Sequence, residues 1–306
     1  DLVVQEAGFA TDLGLEKFMN VVARTTGLVP EAVVLVATIR ALRYHGGQDA
    51  YGMPDPKAVK AGLANLEKHV ENVELFGYKP VIALNRFPSD APEEIALVRA
   101  FAEERGLPFA PSEVYAQGGE GGLELAERVL EALDLPHAYR PLYPLEASLE
   151  AKVEAIATRV YGAEGVEWSE EAKRALKAAK KEGCEALPVV VAKAATSLSD
   201  NPRLRGRPRG FTVRVTDLRC RLGAGAEFAA LELVEHGDDQ ARPEPGEFVV
   251  QARAGVYSRD GQGLGGVNRT GIQAPVHLHD GYAGERVAGE DGALDRRRAA
   301  PARQQR

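Results

Sequence analysis

The runs Ala-Val-Val-Leu-Val-Ala-Thr at residues 32–38 and Pro-Val-Ile-Ala-Leu-Asn at residues 80–85 decide the predicted fold of this chain. Both runs are short, apolar and bounded by turn residues, which is typical of strands that are buried on both faces. Between them, apolar residues recur at spacings of four and three from Val59 to Val73. This spacing predicts a helix, and the whole segment therefore predicts a β-α-β unit with parallel strands.

Start and stop signals support this helix and predict others. Asp55 and Pro56 precede it and Gly77 follows it, and these residue types cap the two ends of helices. Further helices are predicted at residues 90–106, after the cap residue Asp90, and from about residue 122 to 133.

Residues 136–147 contain three prolines and no regular period, which predicts a connector between two domains. We therefore expect an α/β domain at 1–135, a smaller α/β domain at 136–225 and an irregular Gly/Arg-rich tail at 226–306. In the smaller domain the pattern predicts helices at 149–161 and 169–183 and strands at 188–192 and 211–215.

The composition excludes several classes of protein. Of the 306 residues, 44% are apolar and 27% are charged, which excludes a wholly disordered chain. The net charge of −7 disfavours nucleic acid and anionic membranes as partners, and the short arginine run at 296–298 does not reverse this. Since we find no apolar run of about 18 residues and no export signal, we expect a cytoplasmic protein that does not cross a membrane.

Motifs for common catalytic and metal centres are missing. Cys184 and Cys220 are the only cysteines, too few for a disulfide framework and without the spacing of a CxxC site, which indicates a reducing compartment. The chain has no HExxH, GxSxG or Walker-type loop, so we predict no metal site and no nucleophilic hydrolase, and assign no catalytic residue.

Asn85, Arg86 and Phe87 directly follow the second strand. Because ligands of open α/β sheets lie outside the carboxyl ends of the strands, an amide, a guanidinium and an aromatic ring there predict a binding edge. The alternative is a plain strand end followed by the Asp90 helix cap. Pro88, directly after Phe87, favours a ring at the rim of the sheet.

Two glycine-flanked segments also have two interpretations. Residues 117–122, Gln-Gly-Gly-Glu-Gly-Gly, either let backbone N–H groups approach an anion at a helix start or form a flexible turn. After the first strand, Arg40 is a candidate clamp for a carboxylate or phosphate. His45 is either a catalytic base or, as is more common near a glycine turn, a solvated or capping group.

Charged residues in two other places are weaker candidates. Glu6 and Asp12 surround a loop that contains Gly8, which suits either a cation or an ordinary loop. The helix face that carries Glu67, Glu71 and Glu74, with Lys68 among them, is predicted to be solvated.

Six segments, in order along residues 1–225, resemble formate-tetrahydrofolate ligase, also called formyltetrahydrofolate synthetase. They are EAGFATDLGLEKF (6–18), VVLVATIRALRYHGG (33–47), GLANLEKHVENV (62–73), VIALNRFPSD (81–90), SEVYAQGGEGGLELA (112–126) and SLSDNP (197–202). The resemblance is to the later portion of a family member. It implies an incomplete P-loop NTPase-like parallel sheet with crossover helices.

The resemblance also implies a reaction and its participants. Family members condense formate with tetrahydrofolate, using ATP with Mg²⁺, to give 10-formyltetrahydrofolate, ADP and phosphate through formyl phosphate. A monovalent cation and a homotetramer are implied as well.

Site residues carry over at matching positions. The two aromatic residues that stack on the pterin fall on Phe87 and on Tyr115, where Tyr replaces the usual Trp. The nucleotide contacts fall near Asn85 and Ser112, with Gly118 and Gly119 beside the nucleotide.

The sequence departs from the family in three places. The P-loop is absent and the chain opens with Asp1 rather than Met, so we expect a fragment that is inactive alone. The alternative is a non-catalytic folate- or nucleotide-binding remnant. The stretch 193–200 lacks the usual Thr-Gln-Tyr, and no MTMPGLP motif follows residues 223–225. Codons for residues 236–243, read one base later, permit a similar motif, and we hypothesise a frameshift near residue 226.

Overall fold

A five-stranded sheet combines four strands from the first half of the chain with one strand from near its end. Its strands are β1 (Leu2–Val4), β2 (Ala32–Ala37), β3 (Val81–Asn85), β4 (Phe109–Ser112) and β10 (Gln251–Ser258). The computed structural model describes residues 2–193, 196–222, 228–233 and 251–258. The strand order is β1-β10-β2-β3-β4; β2, β3 and β4 are parallel, whereas β10 is antiparallel to both of its neighbours.

Helices connect the parallel strands as predicted. The α-helices of this half are α1 (Arg24–Thr26), α2 (Ile39–His45), α3 (Pro56–Leu75), α4 (Pro92–Glu104), α5 (Val114–Gln117) and α6 (Leu123–Ala132). Two π-helical segments, Ala10–Leu15 and Phe18–Ala23, and a 3₁₀ segment, Gly118–Gly122, complete it. The long helix α3 begins where the Asp55 carboxylate accepts hydrogen bonds from the N–H groups of Lys57 and Ala58, both at 3.0 Å. It is followed by Gly77, whose φ of 92° suits glycine.

The second half contains two smaller sheets. Its helices are α7 (Leu149–Ala155), which continues as a π-helix over Ile156–Tyr161, and α8 (Glu170–Lys181), which is followed by a 3₁₀ turn at Cys184–Ala186. Its strands are β5 (Gly165–Trp168), β6 (Val189–Ala192), β7 (Thr212–Val215), β8 (Asp217–Arg221) and β9 (Phe228–Glu232). β5 pairs in parallel with β7, and β9 lies between β6, parallel to it, and β8, antiparallel to it.

The predicted α/β class and the predicted β-α-β unit are confirmed. The sequence did not indicate β4, because this strand has only four residues and includes Pro111. Proline is tolerated there because β4 is the edge strand of its sheet. A large apolar core includes Leu35, Leu66 and Ile82 from the first half and Ile156 from the second. The domain boundary at 136–147 stays a prediction.

Two segments correct the prediction of an irregular tail over residues 226–306. Residues 228–232 are β9 and residues 251–258 are β10. β9 has only five residues and β10 is interrupted by Gly255, so neither gives a clear local pattern, and strand formation depends strongly on the neighbouring strands. The other residues beyond 233, and the position near residue 226 where a frameshift is hypothesised, lie outside the described residues.

The cysteines show a contact that the sequence did not predict. Cys184 and Cys220 form a disulfide, with Cα atoms 6.5 Å apart and a separation of 36 residues in sequence. The fold brings together two residues whose spacing carries no signal. Within the described part of the chain, no helix has the length and apolar character that would let it cross a membrane.

Candidate functional site

The carboxyl ends of β3 and β4 place two predicted nucleotide contacts side by side. Asn85 is the register partner of Ser112 in the parallel pair, and the Arg86 N–H donates to the Ser112 carbonyl at 3.0 Å. Ser112 is buried and Asn85 is half-buried. An amide and a hydroxyl therefore lie together at the edge where open α/β sheets bind ligands.

An ion pair that the sequence did not reveal connects these two strand ends. The Arg86 Nη1 lies 2.6 Å from the Glu113 Oε1, and both side chains are about one-third exposed. The other Glu113 oxygen accepts a hydrogen bond from the Gln117 side chain at 2.6 Å, and the Glu113 N–H donates to the Gly121 carbonyl at 2.9 Å. Glu113 thus fixes the segment that carries Tyr115. The sequence shows only that an acidic residue, Glu113, directly follows β4 and that a basic residue, Arg86, directly follows the neighbouring strand β3.

Phe87 forms the aromatic part of the rim. The Arg40 guanidinium carbon lies 3.8 Å from the centre of the half-buried Phe87 ring and 5.1 Å from that of Tyr51. The Phe87 N–H donates to an Asp90 carboxylate oxygen at 2.8 Å. Burial raises the pKa of Asp90, although this hydrogen bond and the Arg43 charge oppose the shift. The candidate anion clamp and a candidate pterin contact are therefore in direct contact.

A buried ion pair holds the base of this rim. The Arg43 Nε donates to the Glu94 Oε1 at 2.7 Å and its Nη2 to the Oε2 at 2.5 Å. The same carboxylate accepts from the N–H groups of Asp55 at 2.8 Å and Ala91 at 3.0 Å. Burial acts to raise the pKa of Glu94, but these hydrogen bonds outweigh it and the pKa is lowered. The pair joins α2 to α4 and to the start of α3.

The glycine segment separates into two parts. Gly118 has a φ of 61°, and a Cβ added at Gly118 or Gly119 would meet no atom of the described residues within 4 Å, so both face open space. Gly121 is different, because a Cβ there would lie 2.5 Å from the Glu113 carbonyl. Tyr115, just before this segment, is 75% exposed. The turn is therefore closely packed at Gly121, whereas Tyr115, Gly118 and Gly119 face open space.

His45 is not a solvated group but forms a buried contact between two segments. The ring is buried, and its Nδ1 accepts a hydrogen bond from the Gly206 N–H at 3.1 Å. This contact joins the end of α2 to the loop that precedes β7.

Of the two interpretations of the segment around Glu6 and Asp12, the structure does not support a cation site. Asp12 lies in the π-helical segment Ala10–Leu15 and is buried, whereas Glu6 is exposed. The Asp12 Oδ2 lies 2.6 Å from the Nζ of Lys193, which is also buried. The cation beside Asp12 is therefore a lysine side chain, brought there from the end of β6.

The acidic face of α3 is only partly solvated. Lys68 is buried and its Nζ donates to the Asn72 side chain and to the Arg159 carbonyl, both at 2.7 Å. Glu71 receives two hydrogen bonds at 2.8 Å from Arg207, which also contacts Glu67 at 3.0 Å. This face packs against the second half of the chain, which a single-helix pattern cannot show.

A buried polar cluster near Asp12 was also missed. The Thr11 hydroxyl lies 2.7 Å from the His69 Nδ1, and the Asn20 side chain donates to Glu16 at 2.7 Å. Burial raises the pKa of Glu16 to about 8 and lowers that of His69 to about 4. In the sequence, the only indication of this cluster is that its polar residues occupy positions on the buried faces of their helices.

Comparison with known proteins gives one consistent family. The family model described as formate-tetrahydrofolate ligase matches residues 1–235. Proteins named formate-tetrahydrofolate ligase from Staphylococcus aureus strains NCTC 8325 / PS 47 and MSSA476 are each 46% identical to this chain over 227 residues. The matched region is 74% of this chain and 41% of each relative, so the chain spans about two fifths of the length of these relatives.

Proposed function

This chain belongs to the formate-tetrahydrofolate ligase family, and we propose that it provides the folate- and nucleotide-binding rim of a ligase. The proposed reaction joins formate to tetrahydrofolate, with ATP as the phosphoryl donor, and gives 10-formyltetrahydrofolate, ADP and phosphate through formyl phosphate. The observation that carries the proposal is the cluster at the carboxyl edge of β2, β3 and β4, where Arg40, Phe87, Asn85 and Ser112 come together.

In this proposal the two aromatic residues bind the pterin. Phe87 offers a half-buried ring, and the Arg40 guanidinium covers one of its two faces. Tyr115 offers an exposed ring on a segment held by Glu113. Flat heterocycles stack on such rings because dispersion and quadrupole terms favour the contact.

Arg40 and the strand-end residues bind the anionic substrates. A guanidinium forms two parallel hydrogen bonds with a carboxylate or a phosphate, so Arg40 suits formate or the phosphoryl group that becomes attached to it. Asn85 and Ser112 supply an amide and a hydroxyl for the nucleotide, and Gly118 and Gly119 leave its approach open. These groups bind and orient the reactants, which is the main source of rate in phosphoryl transfer.

Among the residues that the structure describes, two carboxylates of this rim, Glu113 and Asp90, already have partners and so suit the metal ions that the family implies poorly. Glu113 is paired with Arg86, and Asp90 accepts from the Phe87 backbone. We therefore propose that Mg²⁺ arrives with the phosphates of ATP, which is its usual mode of binding. Asp12 does not suit a monovalent cation, because Lys193 already neutralises it.

The chain contains no Gly-x₄-Gly-Lys loop to cradle the phosphates of ATP. We therefore propose that it turns over only together with the amino-terminal half of a family member. A homotetramer, a cytoplasmic location and the lack of a nucleic-acid partner belong to the same proposal. Size measurement with light scattering tests the first of these.

Calorimetric titration of the chain with tetrahydrofolate tests the pterin site. We expect Phe87→Ala to weaken binding about tenfold to a hundredfold, since stacking of a ring on a base is worth about 1–3 kcal/mol. Phe101→Ala is the matched control: Phe101 is also half-buried and also lies under an arginine, Arg105, but it is on α4, away from the strand ends. Equal loss in both variants, or no binding by the parent chain, refutes the assignment.

A complementation assay separates the ligase from a binding remnant. The amino-terminal half of a relative is added to the chain with formate, ATP and tetrahydrofolate, and 10-formyltetrahydrofolate is measured. Product that depends on both halves supports the ligase. Folate binding without any product supports a non-catalytic remnant instead.

A further inference from the structure

The two cysteines are not among the residues of the rim and take no part in the proposed function. Cys184 begins the 3₁₀ turn between α8 and β6, and Cys220 is on β8. The two form a disulfide, and the carboxylate of Glu182 lies within 4.8 Å of both sulfur atoms. The described part of the chain has no free cysteine.

The disulfide joins elements that are not hydrogen-bonded neighbours. β8 is at the edge of the sheet ordered β6-β9-β8, so β9 separates it from β6. The crosslink connects β8 to the turn that leads directly into β6. The two edge strands of this sheet are therefore linked covalently as well as through their hydrogen bonds to β9. The strand at risk of separating from the edge is the one that carries Cys220.

The two sulfur atoms differ in access. Cys184 is 0% exposed, whereas Cys220 is half-buried on an edge strand. A small oxidant can therefore reach Cys220 first, and Cys184 is held directly behind it. This arrangement of an accessible thiol beside a second thiol is the one that favours disulfide formation over further oxidation.

We propose that Cys184 and Cys220 are a reversible redox modification site, oxidised in the folded chain by a peroxide and reduced by a small dithiol. The Cys220 thiolate attacks one peroxide oxygen, which gives a sulfenic acid and releases water after protonation. The Cys184 sulfur then displaces the hydroxyl group as a second water. In total, two thiols and one hydrogen peroxide give one disulfide and two waters, so two electrons pass from sulfur to oxygen.

Oxidation should stabilise the second half of the chain. A crosslink between residues 36 apart in sequence reduces the entropy of the unfolded chain, and on the loop-closure model this lowers the unfolding equilibrium constant by on the order of several hundred fold. Glu182 should slow the reaction, because a carboxylate within 4.8 Å repels a thiolate.

The experiment uses the full chain, reduced with dithiothreitol, freed of reductant and treated with hydrogen peroxide. Mass spectrometry of the digest is expected to show the Cys184–Cys220 crosslink, and urea unfolding is expected to shift to higher denaturant. Dithiothreitol should reverse both changes. Glu182→Gln should crosslink faster than the parent.

Two single variants test the order of attack. In Cys184→Ser, the reagent dimedone should trap a sulfenic acid at Cys220. In Cys220→Ser, Cys184 should stay unmodified because it is buried. Neither variant should show the peroxide-dependent shift in unfolding, and the position of unfolding before peroxide shows whether each variant has folded.

Three outcomes overturn the proposal. The first is that both thiols stay open to alkylation after peroxide. The second is that Cys220 gains oxygen atoms without any crosslink. The third is that the reduced chain takes up one Zn²⁺ and is thereby protected from peroxide, which makes the thiols and Glu182 a metal site instead. None of these outcomes depends on ligase activity or folate binding, so the proposal and the proposed function fail separately.

Discussion

Asp12 and Lys193 form an ion pair of 2.6 Å in which both side chains are almost completely buried. One belongs to the first π-helical segment and the other follows β6, so the pair connects the two halves of the chain. A buried charge is tolerated only while its partner is present, because a single buried charge has lost its hydration and has no opposite charge beside it.

Lys193→Met is therefore expected to lower the free energy of unfolding by about 3–5 kcal/mol, the usual cost of leaving one buried charge alone. Urea unfolding of the parent and the variant measures it. The double variant Asp12→Leu/Lys193→Met should recover a large part of the loss. A single variant as stable as the parent would contradict the pairing.

Glu16 is expected to make the protein less stable as the pH rises. Burial raises its folded pKa to about 8, from an ordinary value of 4.5, while the Asn20 hydrogen bond limits the shift. Between these two values the folded state holds a proton that the unfolded state has released, so stability falls with rising pH at about 1.4 kcal/mol per pH unit. Glu16→Gln should remove this slope, as urea unfolding between pH 6.5 and 8 would show.

His69 gives the opposite dependence at lower pH. Burial lowers its pKa to about 4, from an ordinary value of 6.5. Between these values the unfolded state binds a proton that the folded state does not, so stability is fully present above the higher value and is lost as the pH falls. The two slopes oppose each other between about pH 4.5 and 6.5. His69→Gln should therefore expose the Glu16 slope in that interval, and an unchanged profile there would refute the shift.

Glu113→Gln should weaken folate binding with little loss of stability. The change removes the charge that holds Arg86, and thus loosens the segment that carries Tyr115. Because both partners are about one-third exposed, the cost in unfolding free energy should stay below about 1 kcal/mol.

Glu150→Gln is the control, since its ion pair with Lys180 is similarly exposed and lies in the second half. Calorimetric titration with tetrahydrofolate and urea unfolding separate the two effects, and equal folate affinity in the parent and Glu113→Gln would contradict the role given to Glu113.

Gly121→Ala is expected to displace the turn after β4, because its Cβ would lie 2.5 Å from the Glu113 carbonyl. Thermal unfolding should shift downward, and limited proteolysis should cut within the turn. Gly119→Ala is the matched change in the same turn, where a Cβ meets no atom of the described residues within 4 Å, and its unfolding temperature should equal that of the parent. Identical behaviour of both variants would show that the close packing at Gly121 is wrong.

Part of the candidate site could be predicted from sequence, because it depends on strands that the local pattern identifies. Residues 80–85 predict a buried strand, and the carboxyl end of such a strand places Asn85 and Phe87 at a ligand-binding edge. Glu113 was not identified, because its role depends on its position opposite Arg86 after a strand interrupted by proline.

The sequence by itself determined the α/β class, the β-α-β unit and the family, because these depend on the local spacing of apolar residues and on contiguous motifs. Only the tertiary structure decided which polar residues become buried partners: Asp12 with Lys193, and Cys184 with Cys220. The physical reason is that burial and pairing of distant side chains follow from the packing of whole elements. The spacing of apolar residues within one helix does not show which of its faces a distant part of the chain will cover.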